Sequence, residues 1–210
     1  MPELRQDPTT KEWVVIASER ARRPDQFRLQ AASERFSKTE NHNCPFCAGN
    51  EFLTPPEVFA LRDSGSANQP GWRVRVVPNK FAALSPQDTG QVRDYGQFFH
   101  AKDGYGYHEV ILESPNHDQC LPLMSVEEIR DLLFTYRQRY ADLRKDPKVK
   151  LILLFRNHGP RAGTSLAHPH SQLVATPVIP FHIRQKYEVA IRHYDDTGHC
   201  LYCDVVAEEK

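Results

Sequence analysis

Residues 167–173 have the sequence AHPHSQL, which places His168, His170 and Gln172 at every second position. Side chains two residues apart in an extended strand point to the same side. We therefore expect these three polar groups on one face of a strand. Pro169 favours the edge of a sheet or the first residues of a strand. Two imidazoles and an amide in a row can bind a metal, hold a phosphate or attack phosphorus.

The composition narrows the class of protein. The chain has 210 residues, with 27 Lys and Arg balanced by 27 Asp and Glu, so its formal net charge is zero. This argues against non-specific binding of nucleic acid, although it permits a local anion site. The N-terminal stretch lacks the apolar core of a signal peptide, and no apolar run approaches the roughly 18 residues of a membrane span. We expect a cytoplasmic protein.

Four of the five cysteines form two Cys-x-x-Cys pairs, CPFC at 44–47 and CLYC at 200–203. An intracellular compartment disfavours disulfides and favours metal or redox roles. A thioredoxin-type motif follows a strand and opens a helix, whereas NHNCPFCAGNE has the Asn, Pro and Gly of a knuckle turn. The first pair, Cys44 and Cys47, therefore favours Zn2+, with an unligated thiol pair as the alternative.

Hydrophobic patterns predict an α+β fold, with a mostly antiparallel sheet and a long packed helix. Ser125 and Glu128 form a capping-box signature at the start of that helix. Its apolar stripe is predicted to consist of Ile129, Leu132, Leu133, Tyr136 and Tyr140.

Strands are predicted both before and after this helix in the sequence. GWRVRVVPNKFAAL predicts a strand with Trp72, Val74 and Val76 on one face and Arg73 and Arg75 on the other. VKLILLFRNHG predicts a buried strand that leads into the loop before AHPHSQL.

NHGPRAGTSLAHPHSQL (residues 157–173) resembles the active-site stretch of galactose-1-phosphate uridylyltransferases, which belong to the histidine-triad superfamily. The family pattern is Asn-x-Gly, a loop of small residues, then His-x-His-x-Gln. Other family landmarks occur in order: ERARRP, CPFC, VRVVPNKFAAL and HEVILESPNHD. Together they span nearly all of residues 1–175, and they imply a histidine-triad-like domain.

The resemblance assigns the remaining zinc ligands to His117 and His168, which complete a set with the thiolates of Cys44 and Cys47. Cys2His2 is a closed tetrahedral set, as expected for a structural zinc. The alternative for His117 is a polar turn residue.

His170 matches the family nucleophile. A neutral imidazole can attack phosphorus, and a backbone carbonyl that accepts the Nδ1 proton would leave Nε2 free to do so. Gln172 could then donate its amide to a non-bridging phosphate oxygen. The alternative for His170 is a second metal ligand beside His168. Same-face neighbours in a strand lie roughly 6.5–7 Å apart, so that arrangement needs a distorted backbone.

Substrate contacts are also implied by the resemblance. Asn157, Gly159 and Ser165 match positions around the α-phosphate. Arg20 and Arg23 match residues that hold a sugar phosphate, in some members across a dimer interface, and their alternative is a solvated basic turn.

The nucleoside pocket maps onto VPNKFAAL. Asn79 would contact ribose or phosphate, and Phe81 the base region. Lys80 stands where some uridylyltransferases have an acidic ribose contact, which leaves the choice between uracil and adenine open.

The predicted function is transfer of UMP between UDP-glucose and galactose 1-phosphate by double displacement, within galactose metabolism. The partners are a nucleotide sugar, a sugar 1-phosphate and a second copy in a homodimer. Alternatives are an adenylyltransferase that acts on ADP-glucose and phosphate, a histidine-triad hydrolase, and a zinc-stabilised remnant that binds nucleotides without turnover.

Residues 1–180 are predicted to form the nucleotidyltransferase domain, and residues 181–210 a linker and the start of a truncated second half. In relatives with that half, the second Cys-x-x-Cys opens it and its histidine partners come later. Cys200 and Cys203 could form a metal site with His193 or His199, but these histidines lie very close to the cysteines in the sequence. We expect an exposed apolar face and a chain that self-associates or depends on the missing segment.

Overall fold

The computed structural model describes residues 2–7, 12–17, 44–164 and 166–210. Within them the chain forms two antiparallel sheets and three α-helices, which confirms the predicted α+β class. The strands are β1 (Glu3–Gln6), β2 (Trp13–Ile16), β3 (Phe59–Arg62), β4 (Trp72–Pro78), β5 (Val92–Tyr95), β6 (Phe99–Asp103), β7 (Tyr107–Leu112), β8 (Leu151–Phe155) and β9 (His170–Thr176). The helices are α1 (Val126–Leu143), α2 (Phe181–Thr197) and α3 (Leu201–Glu208).

The larger sheet has the strand order β3-β4-β7-β9-β8, so that β9 is a central strand. In the β7–β9 ladder, Leu112 pairs with His170, Val110 with Gln172 and His108 with Val174. The predicted burial of β8 is wrong in part. This strand lies at the sheet edge, and its last two residues are exposed, because nothing in the described part of the chain pairs with its outer side.

Helix α1 covers one face of this sheet. Its N-terminus has the predicted capping box: Ser125 Oγ accepts from the Glu128 backbone N–H, and Glu128 accepts from the Ser125 N–H. The predicted apolar stripe is only partly correct. Leu132 is buried as predicted, but Leu133 and Tyr140 are exposed, and the other buried positions are Thr135, Arg139 and Leu143.

Arg139 explains this shift of the buried stripe. Its guanidinium donates from Nε and Nη2 to the Glu109 carboxylate of β7, at 2.9 and 2.6 Å. The ion pair turns a charged position of α1 toward the sheet, where Leu132 and Leu143 pack with Val76, Ile111 and Leu173.

A β-bulge changes the predicted faces of β4. Leu61 pairs with Val74, but the next residue of β3, Arg62, pairs with Trp72. Arg73 is therefore the extra residue, and it moves Trp72 to the face opposite Val74. Trp72 packs with Val77, Val110 and Leu112 on the face away from α1.

The smaller sheet has the order β2-β1-β6-β5. Leu4 of β1 packs with Leu84 and Val178, which joins this sheet to the segments that follow β4 and β9. Helices α2 and α3 contact each other, and His193 bonds to Asp204 at 2.8 Å. Among the described residues, no helix combines the length and the apolarity that a membrane crossing requires.

Candidate active site and metal centre

The sheet face away from α1 carries the predicted nucleophile. His170 and Gln172 lie on this face of β9, while Ser171 and Leu173 point toward the helix. The prediction that His168 continues the same strand is wrong, because β9 begins only at His170. Pro169 has no N–H for the ladder, and the residue before it leaves the strand. The rings of His168 and His170 can therefore face different groups.

Cys44, Cys47, His117 and His168 come together beside the start of β9. Their ligand atoms all lie within 4.8 Å of one another. Cys47 Sγ is 3.3 Å from His117 Nδ1 and 3.5 Å from His168 Nδ1. A tetrahedral zinc with ordinary Zn–S and Zn–N bonds needs ligand separations of roughly 3.3–3.8 Å. The donor set and these two separations therefore fit zinc, and His170 is not among the donors.

The His168 ring has the orientation of a metal ligand. Its Nε2 lies 2.8 Å from the Ser114 carbonyl, to which it donates a hydrogen bond. This leaves the Nδ1 lone pair facing the cysteines, and such a partner on the second nitrogen is usual for metal-binding histidines. Burial lowers the pKa of His168 to about 3, so the ring is neutral and able to ligate.

Cys44 is buried within this turn, and Cys47 is half-buried. Burial raises the pKa of Cys44, and it raises the pKa of Cys47 to about 12. Deprotonation of both thiols would therefore have to accompany metal binding, with release of protons. Asn50 Nδ2 donates to the Cys44 carbonyl at 2.9 Å, which helps to close the turn.

Glu51 fastens this turn to the sheet. Its carboxylate accepts from the Gly49 N–H at 3.1 Å and from Trp72 Nε1 at 2.8 Å, and the residue is buried. A buried carboxylate with no such donors would be costly, so these bonds fix the position of the cysteine turn against β4.

His170 is placed by the backbone of its neighbour. Its Nδ1 donates to the His168 carbonyl at 2.8 Å, which confirms the predicted carbonyl contact and leaves Nε2 as the nitrogen with a lone pair. The residue is buried, and the Phe46 ring contacts it edge-on with centroids 5.2 Å apart. Burial lowers the pKa of His170, which favours the neutral imidazole.

A pocket opens beside His170. It is lined by Arg156, Asn157, His158, Gly159, Thr164, Leu166, Ala167, His168, Pro169 and His170. Two predicted phosphate-binding residues, Asn157 and Gly159, thus line the same pocket as His170. Gly159 has φ +77°, a left-handed conformation that glycine adopts without strain. Ser165, Arg20 and Arg23 lie outside the described residues.

Asn79 meets Gln172 across the sheet. Asn79 Nδ2 lies 3.4 Å from Gln172 Oε1, and Asn79 Oδ1 accepts from the Phe81 backbone N–H at 2.9 Å. His108, which the sequence left without a role, lies between them, with Nε2 2.9 Å from Gln172 Oε1. Its place could be inferred only from the β7–β9 register.

A second polar group lies beneath His170, on the helix side of the sheet. The Glu113 carboxylate accepts from Arg156 Nε at 2.9 and 3.0 Å and from the Ser171 hydroxyl, which also bonds to Tyr136. Sequence reasoning missed this set, because its members are scattered over four segments. It anchors Arg156 at the rim of the pocket.

The fold and these motifs define the class of the protein. The family described as galactose-1-phosphate uridyl transferase, N-terminal domain, matches residues 1–180. The chain belongs to this family, which confirms the resemblance seen in the sequence.

Individual relatives fall into two groups. The chain is 33% identical to an ADP-glucose phosphorylase of Arabidopsis thaliana, over 97% of this chain and 56% of the relative. It is 31% identical to a galactose-1-phosphate uridylyltransferase of Thermotoga maritima, over 100% of this chain and 57% of the relative.

The fold is also similar to that of a solved relative. The crystal structure of an ADP-glucose phosphorylase from Arabidopsis thaliana with bound ADP-glucose has a TM-score of 0.67 and 31% identity, over 99% of this chain and 59% of that one. The chain thus spans a little over half the length of these relatives.

Proposed function

We propose that the chain carries the nucleophilic half-site of a nucleotidyltransferase that moves UMP from UDP-glucose to galactose 1-phosphate through a nucleotidyl-His170 intermediate. The observation that carries the proposal is the hydrogen bond from His170 Nδ1 to the His168 carbonyl, beside a pocket lined by Asn157 and Gly159. It directs the Nε2 lone pair of a neutral, buried imidazole away from the backbone.

In the first step, Nε2 of His170 attacks the α-phosphorus. The Nε2–P bond forms as the bond from phosphorus to the bridging oxygen breaks, and glucose 1-phosphate leaves with that electron pair. The imidazole keeps its Nδ1 proton and gains positive charge. The His168 carbonyl, 2.8 Å away, stabilises this charge without taking the proton.

In the second step, a phosphate oxygen of galactose 1-phosphate attacks the same phosphorus. The Nε2–P bond breaks, UDP-galactose forms and the neutral imidazole returns. Gln172 lies on the same face two residues along β9, where its amide N–H can donate to a non-bridging oxygen in both steps. No external base is required, because no proton leaves the ring.

Cys44, Cys47, His117 and His168 are the residues that would hold zinc. A closed set of four protein donors supplies folding free energy and no reactive position. Its contribution here is to anchor the turn whose carbonyl orients His170.

Adenylyl transfer from ADP-glucose to phosphate is the second candidate. It is favoured by the similarity to ADP-glucose phosphorylase and by Lys80 at the predicted nucleoside pocket. Both candidates use the same nucleophile and differ in the base and the acceptor.

Incubation with UDP-glucose and with ADP-glucose, followed by intact-mass analysis, tests the proposal and separates the two candidates. A uridylyl adduct with release of glucose 1-phosphate supports the first, and an adenylyl adduct the second. No adduct with either nucleotide sugar contradicts both.

We also propose a homodimer, because the family resemblance places sugar-phosphate contacts from Arg20 and Arg23 across a subunit interface. Exposed apolar side chains on α2 and α3, such as Tyr187, Val189 and Val206, support association of the chain. Sedimentation velocity over a range of protein concentrations tests this, and a monomer at all concentrations contradicts it.

A further inference from the structure

His108 has a defined hydrogen-bonding arrangement on the active-site face. It is a buried residue of β7, and it lies opposite Val174 and diagonal to Gln172. Its Nδ1 accepts from the Ala83 backbone N–H at 3.0 Å. A backbone N–H can only donate, so Nδ1 carries no proton. The ring is therefore neutral with its proton on Nε2, and Nε2 donates to Gln172 Oε1 at 2.9 Å.

Asn79 independently sets the same orientation of Gln172. The Phe81 N–H donates to Asn79 Oδ1 at 2.9 Å, which fixes which end of the Asn79 amide faces the strand. The Nδ2 end is therefore the one near Gln172 Oε1, at 3.4 Å, and it donates to the same oxygen. The 3.1 Å approach of Asn79 Nδ2 to His108 Nε2 follows, because both donors converge on one acceptor.

These contacts determine which atom Gln172 can offer to a substrate. A rotated amide would place its NH2 group against two donors and lose both hydrogen bonds, which is unfavourable for a half-buried polar group. The amide oxygen is thus committed to His108 and Asn79. The NH2 group is the end that remains for an acceptor, and phosphate oxygens are acceptors.

We propose that His108 is a positioning residue that acts through Gln172. Its Nε2–H holds the Gln172 amide with the donor end available to the α-phosphate, so that no oxygen lone pair faces the anion. This inference rests on the proposed nucleotidyl transfer at His170. It assigns a function to a residue that would otherwise be a buried core histidine.

A double-mutant cycle tests the assignment, with the single-turnover rate constant for nucleotidylation of His170 as the readout. His108→Phe keeps the ring volume and removes the donor, and we expect it to slow labelling by about 10-fold or more. In the Gln172→Ala background the same substitution should have no further effect. His108→Gln, whose amide can donate to Gln172 Oε1, should restore most of the rate.

Val110→Ala is the matched control, because Val110 lies on the same face of β7 and pairs with Gln172 but has no hydrogen-bonding side chain. Its effect should be equal in both backgrounds. Equal effects of His108→Phe in both backgrounds would show a structural role and overturn the inference. Thermal unfolding of each variant identifies any that does not fold. If His108→Phe does not fold, His108→Gln replaces it in the double-mutant cycle.

Long-range 15N NMR of the His108 ring in the wild-type chain provides a measurement that needs no activity. A protonated Nε2 and a bare Nδ1 are expected, and the opposite tautomer or a doubly protonated ring would overturn the inference. Absence of labelling in the wild type would overturn the proposed function together with the catalytic part of this assignment. If His170 is labelled but the effects of His108→Phe and Gln172→Ala are additive, the proposed function stands and only the positioning role of His108 is overturned.

Discussion

The backbone of His168 holds the ring of His170, while the ring of His168 turns into the cysteine cluster. His170 Nδ1 donates to the His168 carbonyl at 2.8 Å, and His168 Nδ1 lies 3.5 Å from Cys47 Sγ. One residue therefore links the metal centre to the proposed nucleophile. Pro169 makes this possible, because the strand begins only after it.

Removal of one thiolate tests the metal centre. The wild type should bind about one equivalent of zinc in this site, and Cys44→Ala should lose that equivalent and unfold at a lower temperature, because metal binding contributes folding free energy. Metal analysis by mass spectrometry and thermal unfolding measure the two effects.

Cys120→Ala is the matched control, since Cys120 is a free cysteine outside the cluster. It should keep its zinc. Equal metal content in the wild type and the Cys44→Ala variant would contradict the assignment.

Truncation of Gln172 tests its role as a phosphate donor. Gln172→Ala removes one donor from the transition state and leaves the nucleophile, so it should slow labelling of His170 by about 10²-fold without abolishing it. Rapid-quench kinetics with the preferred nucleotide sugar give the rate constant. A labelling rate constant of Gln172→Ala within twofold of the wild-type value would contradict a catalytic role for Gln172.

The buried cluster around Glu57 predicts a pH-dependent contribution to stability. Burial opposes ionisation of Glu57, but hydrogen bonds from Arg75 at 2.9 Å and from Arg62 outweigh it, so the pKa lies below its ordinary value of 4.5. A carboxyl with a depressed folded-state pKa stabilises the fold above its unfolded-state pKa. That contribution is lost as pH falls through the folded-state value.

Glu57→Gln should therefore lower the free energy of unfolding by about 3 kcal/mol at pH 7, since it leaves the buried Arg75 without its charged partner. The deficit relative to the wild type should shrink as the pH falls below 4.5. Urea unfolding at several pH values measures it, with the exposed Glu188→Gln as the control. A deficit that does not vary with pH would contradict the ion-pair account.

The sequence predicted the features that depend on local chemistry. The capping box of Ser125 and Glu128 is local, and the structure confirms it. The family motifs also identified Asn157, Gly159 and His170, which line one pocket.

Features that depend on pairing between distant segments were not predictable. The bulge at Arg73 arises from the register of β3 against β4, so a regular alternation placed Trp72 on the wrong face. The buried side of α1 follows from the contact of Arg139 with Glu109, which a hydrophobic pattern omits because both residues are charged. The role proposed for His108 depends on the β7–β9 register, which the sequence alone does not reveal.

The most direct test of the central claim is the covalent state of His170. Wild-type chain incubated with a nucleotide sugar labelled in its nucleoside should acquire a label that is acid-labile and base-stable, as expected of a phosphoramidate. Peptide mapping should place it on His170. His170→Asn should acquire none, while His182→Asn, a change at an exposed histidine of α2, should label like the wild type. Label retained in the His170→Asn protein would contradict the account.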